Sequence, residues 1–139
     1  MDMTGQTTDT PTTTASSSAT LVRSVGTAMA EGRWIDVLAH VAPHVIAHVP
    51  VVGDLDGIDA LSAFLFETAA MTDDGERFEL LDTLVGDHHA ALYFRITATR
   101  AGREPLDNLT VHLARLEDDR IVEIWFHNFD TTAVAAFWA

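Results

Sequence analysis

The chain reads as an α+β fold, with helices packed on one face of a mostly antiparallel, curved sheet. Three observations predict it. Apolar residues recur at spacings of three and four through the first half, from Leu21 to Leu65. They alternate at a spacing of two through most of the second half, from Phe78 onward. Glycine, proline and clustered acids separate the runs.

Residues 1–18 are Thr, Ser, Asp and Gly with almost nothing to bury, and are expected to form a disordered tail before a single domain at residues 19–139. A helix starts at Thr20, with Leu21, Val22, Val25, Ala28 and Met29 on its inner side, and stops at Gly32. A shorter helix spans Trp34 to Val41, and Pro43 breaks it. His44 to Val49 (HVIAHV) is a strand, and Pro50 to Gly57 is a loop. A third helix runs from Ile58 to Met71 and ends at Thr72-Asp73-Asp74-Gly75. Strands follow at Phe78–Val85, Ala90–Arg100, Leu106–Leu116 and Arg120–Phe129. Thr131 to Trp138 is a terminal helix that Asp130 is placed to cap.

Composition excludes several classes of function. The formal charge is −13, from 21 acids against eight arginines and no lysine. Such a surface repels nucleic acid and anionic membranes, so neither is expected as a partner. No cysteine is present, which rules out disulfides and thiolate metal sites. No apolar run approaches the roughly 20 residues of a membrane span. The opening MDMTGQTTDTPTTT lacks the basic and apolar regions of a secretory signal, so a cytoplasmic protein is expected.

The last two strands carry the chemistry-bearing side chains. Asn108, Thr110 and His112 share one face of their strand, and Leu109, Val111 and Leu113 the other. Trp125 and His127 fall together, opposite Val122, Ile124 and Phe126. A two-residue turn at Gly102-Arg103 sets Tyr93 opposite His112, Arg95 opposite Thr110 and Thr97 opposite Asn108. The reverse face is then Leu92, Phe94 and Ile96 against Leu113, Val111 and Leu109, a clean separation that favours this register. Two arrangements fit. Either the aliphatic row lies under the helices and the polar row meets water, or the polar row lines a covered cavity and the aliphatic row packs on a second subunit.

Three segments resemble the SnoaL-like family of the nuclear-transport-factor-2-like superfamily: HVIAHVPVVGDLDGIDALSAFL, ALYFRITATRAGRE and VHLARLEDDRIVEIWFHNFDTTAVAAFWA. Within them the telling pieces are His-x-Pro closing the first strand, Gly57 opening the third helix, and Glu-x-Trp before Asp130. The likeness spans about residues 20 to 138 and identifies the fold far better than the reaction. It implies a cone-shaped α+β barrel, its curved antiparallel sheet holding helices on the concave face and enclosing a pocket. It also implies a homodimer formed through the outer sheet face, with Leu92, Phe94, Ile96, Val111 and Leu113 buried there. It therefore favours the second arrangement.

By that resemblance, His48 stands where ketosteroid isomerases carry their carboxylate base and limonene epoxide hydrolases their water-holding Asn. His112 matches the protonated Asp of the isomerases' oxyanion hole. His127 matches a catalytic Asp of the epoxide hydrolases, whose Arg-x-Asp pair aligns with Tyr93 and Arg95. Asp130 matches an acid or base of the SnoaL-type cyclases, although helix capping is the commoner task for Asp at that position. The first helix has Val25 near where the isomerases place a Tyr, and neither enzyme's full set is kept. An imidazole titrates near neutrality, which suits His48, His112 and His127 to proton transfer, and an inward Arg95 would steady an oxyanion. Ile46, Tyr93, Asn108 and Trp125 are expected to form pocket wall, Trp125 offering a flat surface to a ring.

The expected function is cofactor-independent acid–base chemistry on a hydrophobic, oxygenated small molecule such as a polyketide: cyclisation, isomerisation or epoxide hydrolysis. The alternative is a non-catalytic module of the same fold that binds a small molecule or dimerises. An enzyme requires at least two of His48, His112, His127 and Arg95 in one cavity, whereas a module leaves them dispersed or held in structural hydrogen bonds. Zinc or iron on the three histidines is a further, less favoured arrangement, so neither metal nor cofactor is expected.

Overall fold

Helix α1 covers residues 17–30 in the computed structural model, which describes residues 17–139. The expected tail therefore lies outside the described residues, except for Ser17 and Ser18, which are already helical. The helix ends in a Schellman motif. The Arg33 N–H donates to Ala28 O at 2.8 Å and the Gly32 N–H to Met29 O at 3.1 Å, while Gly32 adopts φ 72°. Helix α2 is Trp34–Leu38, shorter than expected. Strand β1 then begins at Val41, not His44. Pro43 sits where β1 slips against its neighbour, between Val41 opposite Ile121 and Ile46 opposite Glu123, so no regular ladder bond is lost there.

The segment expected as a loop contains a strand. β2 (Gly53–Asp56) turns back on β1 and pairs Val49 with Gly53 through Ile46 with Asp56. The sequence GDLD has little strand propensity; its partner's edge and a half-buried Leu55 hold it in place. Helix α3 (Ile58–Met71) has the expected ends, and so does α4 (Thr131–Trp138). Strands β3 (Arg77–Val85), β4 (His89–Ala98), β5 (Leu106–Glu117) and β6 (Arg120–Asn128) match expectation within two residues.

The strands form one sheet in the order β2-β1-β6-β5-β4-β3. Only β1 and β6 run parallel. The sheet has free edges at β2 and β3, so it is the curved α+β sheet expected, left open along those two strands. Helices cover one face, and the core lies between it and them, from Val22, Val25 and Leu61 to Phe94, Ile96 and Ile124.

Two register features differ from expectation, and together they reassign the faces. The β4–β5 connection turns at Ala101-Gly102, where the Arg103 N–H donates to Arg100 O at 3.2 Å and Gly102 has φ 75°. Pairing closes at Ala98 with Leu106, so Leu92 lies opposite His112, Phe94 opposite Thr110 and Ile96 opposite Asn108. Tyr93 and Arg95 pair with Val111 and Leu109 on the other side. The second feature lies in β5–β6. Asp118 and Asp119, at φ 49° and 58°, form the tight turn, and Glu117 pairs with Arg120. Leu116 then faces Ile121 but Arg115 faces Glu123, which leaves Val122 as a one-residue bulge. Beyond it Phe126, not Trp125, lies opposite His112. One residue of bulge carries Trp125 and His127 to the opposite side of the sheet.

Candidate functional site

The helix-covered face is mainly apolar, with three buried polar residues in its middle strand: Asn108, Thr110 and His112. Over it lies a cavity of about 520 Å³. Leu92, Ile96, Ile124 and Phe126 form its floor. Val25 and Met29 of α1, Trp34 of α2, Phe64 and Leu65 of α3, and Val134 and Trp138 of α4 form its roof and walls. Pro50, Val51 and Val52, at the β1–β2 turn, reach its mouth. Val51 is exposed there at φ 72°, a strained conformation for a β-branched residue.

His112 is the one expected catalytic residue inside this cavity. Its ring stacks on Phe126 at 4.4 Å between centroids, with Phe94 at 5.5 Å and Phe78 at 6.3 Å. These rings displace water from it. Burial first, then the neighbouring His127, push its pKa down to about 4, so the imidazole is neutral at physiological pH. No group among the described residues hydrogen-bonds this ring, and no enclosed polar side-chain atom among them lacks a partner. The ring's polar edge is therefore the part that meets the cavity.

Asn108 also lines the cavity, with its Oδ1 accepting the Asp130 N–H at 3.0 Å. Asn128 lines it too, and its Oδ1 lies 3.1 Å from the Thr110 hydroxyl. Asp130 is the helix cap: its Oδ1 accepts the Ala133 N–H at 3.0 Å, and it is not among the lining residues.

The remaining expected site residues lie on the outer face. His48 and Trp125 are paired neighbours there, stacked at 5.4 Å. His48 Nδ1 lies 2.7 Å from Asp54 Oδ1 and its Nε2 2.7 Å from Glu123 Oε2. Two carboxylates accept from both ring nitrogens only if the ring is an imidazolium. Glu123 foremost, then Asp54, raise its pKa accordingly, while His48 holds Glu123 below the usual carboxylate range. Arg95 is exposed and grips Asp107 through two bonds of 2.9 and 2.6 Å. His127 is exposed, Tyr93 is half-buried, and Ile46 points outward beside His48. His48, Arg95, His127, Tyr93, Trp125 and Ile46 are thus corrected to positions outside the cavity. The turn at Ala101-Gly102 is the reason for β4, the bulge at Val122 for β6, and the phase of β1 for the rest. The three histidines do not converge on a metal site; among the described residues no cluster of three His, Asp or Glu side chains is placed to hold an ion.

Sequence reasoning missed Glu76. It lines the cavity just before β3, in phase with the buried Phe78, while Arg77 and Glu79 point outward. Burial pushes its pKa up to about 7, opposed by a contact with Thr68. The run DDGER reads as a solvated turn, and the only signal available was this alternation with Phe78. A carboxyl poised near neutrality and a neutral imidazole, in one apolar chamber, can take, give or share a proton.

The fold has solved counterparts. Bal32a, from a soil-derived mobile gene cassette, is 24% identical with a TM-score of 0.82, over 90% of this chain and 98% of that one. An NTF2-like protein of unknown function from Burkholderia pseudomallei is 21% identical with a TM-score of 0.75, over 88% and 98% of the two chains. TerC, co-crystallised with polyporic acid, is 14% identical with a TM-score of 0.74, over 87% and 97%. At these identities the likeness establishes the fold alone. No curated protein matches the chain. The family profile described as "SnoaL-like domain" matches residues 22–124, from α1 through β6 up to Ile124. With that match spanning most of the chain, and the open curved sheet roofed by helices, the protein belongs to the SnoaL-like domain family.

Proposed function

We propose that the protein is a cofactor-independent enzyme that performs acid–base chemistry on a hydrophobic, oxygenated small molecule held in the cavity. One observation carries this reading: Glu76, with a pKa of about 7, shares an apolar chamber with the neutral His112. Glu76 moves the proton. His112 and the free amide of Asn108 hydrogen-bond the oxygen whose charge changes. Cyclisation, isomerisation and epoxide hydrolysis all need such a pair. The co-crystallisation of TerC, a protein of the same fold, with polyporic acid supports a small-molecule ligand.

The outward placement of His48, Arg95 and His127 favours the second reading, a binding module without catalysis. A nitrobenzisoxazole separates the two. Removal of the one C–H proton on its isoxazole ring drives the electron pair into a C≡N bond, breaks the N–O bond and releases a coloured cyanonitrophenolate, so a desolvated base is all that is needed. We expect turnover that rises with pH through about 7, as Glu76 ionises, and falls roughly a hundredfold in Glu76→Gln. Turnover at the solvent rate, or unchanged in that variant, would leave only the binding module.

The outer face supports a homodimer. Leu109, Val111 and Leu113 form a half-buried apolar row there; Leu92, Phe94 and Ile96, expected beside them, lie in the core instead. Light scattering is expected to find two chains of 15.1 kDa per particle, and Val111→Asp to give one. A monomeric parent protein would reject the interface. A cytoplasmic location is supported by the acidic composition and by the absence, among the described residues, of any helix long and apolar enough to cross a membrane.

A further inference from the structure

We propose that the cavity sorts ligands by charge, taking apolar amines ahead of neutral molecules and rejecting carboxylates, with Glu76 as the discriminating residue. The inference rests on reading the cavity as a ligand site, and it adds the ligand's chemical class to that reading.

The lining is apolar apart from a few groups whose signs agree. Glu67 and Glu76 are the acids among the described lining residues, and no arginine is among them. The chain contains no lysine. His112, only 9% exposed, is neutral in its aromatic cage and brings no positive charge. Among the described residues Glu76 thus has no counter-ion in this apolar chamber, and burial raises its pKa.

A ligand ammonium would supply the missing charge. Its N–H would donate to the Glu76 carboxylate, while its rings lie against Trp34, Phe64 and Trp138. A neutral alcohol makes one hydrogen bond to Glu76 or to the open edge of His112 and gains no charge pairing. A carboxylate can accept from Asn108 or from the neutral His112 but finds no positive charge among the described lining residues, and Glu76 repels it. The field of a chain with a formal charge of −13 acts in the same direction at longer range.

The pH dependence follows from Glu76. Above about pH 7 it is ionised and the amine preference is full; below that it becomes a neutral acid and the amine loses its partner. Among groups that face the cavity, Glu67 is at the rim and exposed, and His112 stays neutral down to about pH 4.

The test uses the full chain and three ligands with one ring system: naphthylmethylamine, naphthylmethanol and naphthoate, each titrated calorimetrically. At about pH 8 we expect the amine to bind about tenfold tighter than the alcohol, and the naphthoate about tenfold weaker. In Glu76→Gln, and in the parent protein at about pH 5.5, the amine and alcohol should bind alike. The same order in the glutamine variant, a naphthoate equal to the alcohol, or no binding of any of the three would overturn the proposal. If charge order holds while nitrobenzisoxazole is untouched, only the catalytic reading fails. If proton transfer holds without charge order, only this inference fails.

Discussion

Replacing Glu76 with glutamine is expected to stabilise the protein by roughly 3 kcal/mol at about pH 8, and hardly at all at about pH 4. The unfolded chain's Glu76 titrates near 4.5 and the folded chain's near 7. Between those values the folded state holds a proton that the unfolded state has released. Stability therefore falls as pH rises through this window, and glutamine, which has no charge to bury, escapes the loss. His112 has the opposite sign. It titrates near 6.5 unfolded and near 4 folded, so the unfolded state binds the extra proton between them and stability falls as pH drops. The two slopes oppose each other across most of the same range. Each single variant should unmask the other's: Glu76→Gln gains stability as pH rises from about 4 to 6.5, and His112→Gln loses it from about 4.5 to 7. Urea denaturation of all three proteins across this range measures both slopes, and the exposed ion pairs, common to all, cancel in the differences. Parallel curves for Glu76→Gln and the parent would show that this carboxyl is solvated in the folded chain.

Phe94→Ala is expected to cost about 3–5 kcal/mol, near the top of what one core truncation does. Phe94 is fully buried. It meets Phe78 edge-on at 5.6 Å and the His112 ring at 5.5 Å. Removing it leaves a void contiguous with the cavity, so water gains access to His112 and its pKa climbs back from about 4 toward 6.5. Urea denaturation reads the first effect and an NMR titration of the imidazole the second. A loss below about 1 kcal/mol would mean that neighbouring side chains collapse into the space.

Helices α3 and α4 were legible because their ends carry punctuation, whereas α2, without it, ends three residues early. Gly57 and Thr72 bracket α3, and Asp130 caps α4, in sequence and in structure alike. The polar row Asn108-Thr110-His112 was legible as well, since alternation along one strand needs no partner. What faces that row depends on events between strands. The turn at Ala101-Gly102 moved Tyr93 and Arg95 away from His112, and the extra residue at Val122 did the same to Trp125 and His127. Each is a shift of one residue, and a shift of one inverts every side chain beyond it. Clean separation of polar and apolar rows was the wrong criterion, because the helix-covered face is mixed: Leu92, Phe94 and Ile96 lie opposite His112, Thr110 and Asn108. Glu76 was hidden for a different reason. It lies in the segment between α3 and β3, which local pattern reads as solvated turn, and only the fold brings it against Thr68 of α3 and the cavity.

Gly26 lies within α1, where a glycine costs about 1 kcal/mol relative to alanine. A Cβ there would come within 2.9 Å of Leu80 Cδ2 and 3.3 Å of Leu92 Cδ2. Alanine would have to push those leucines aside or lift the helix that carries Val25 and Met29. One absent methyl thus lets α1 settle close on the sheet and sets the height of the ceiling over the cavity.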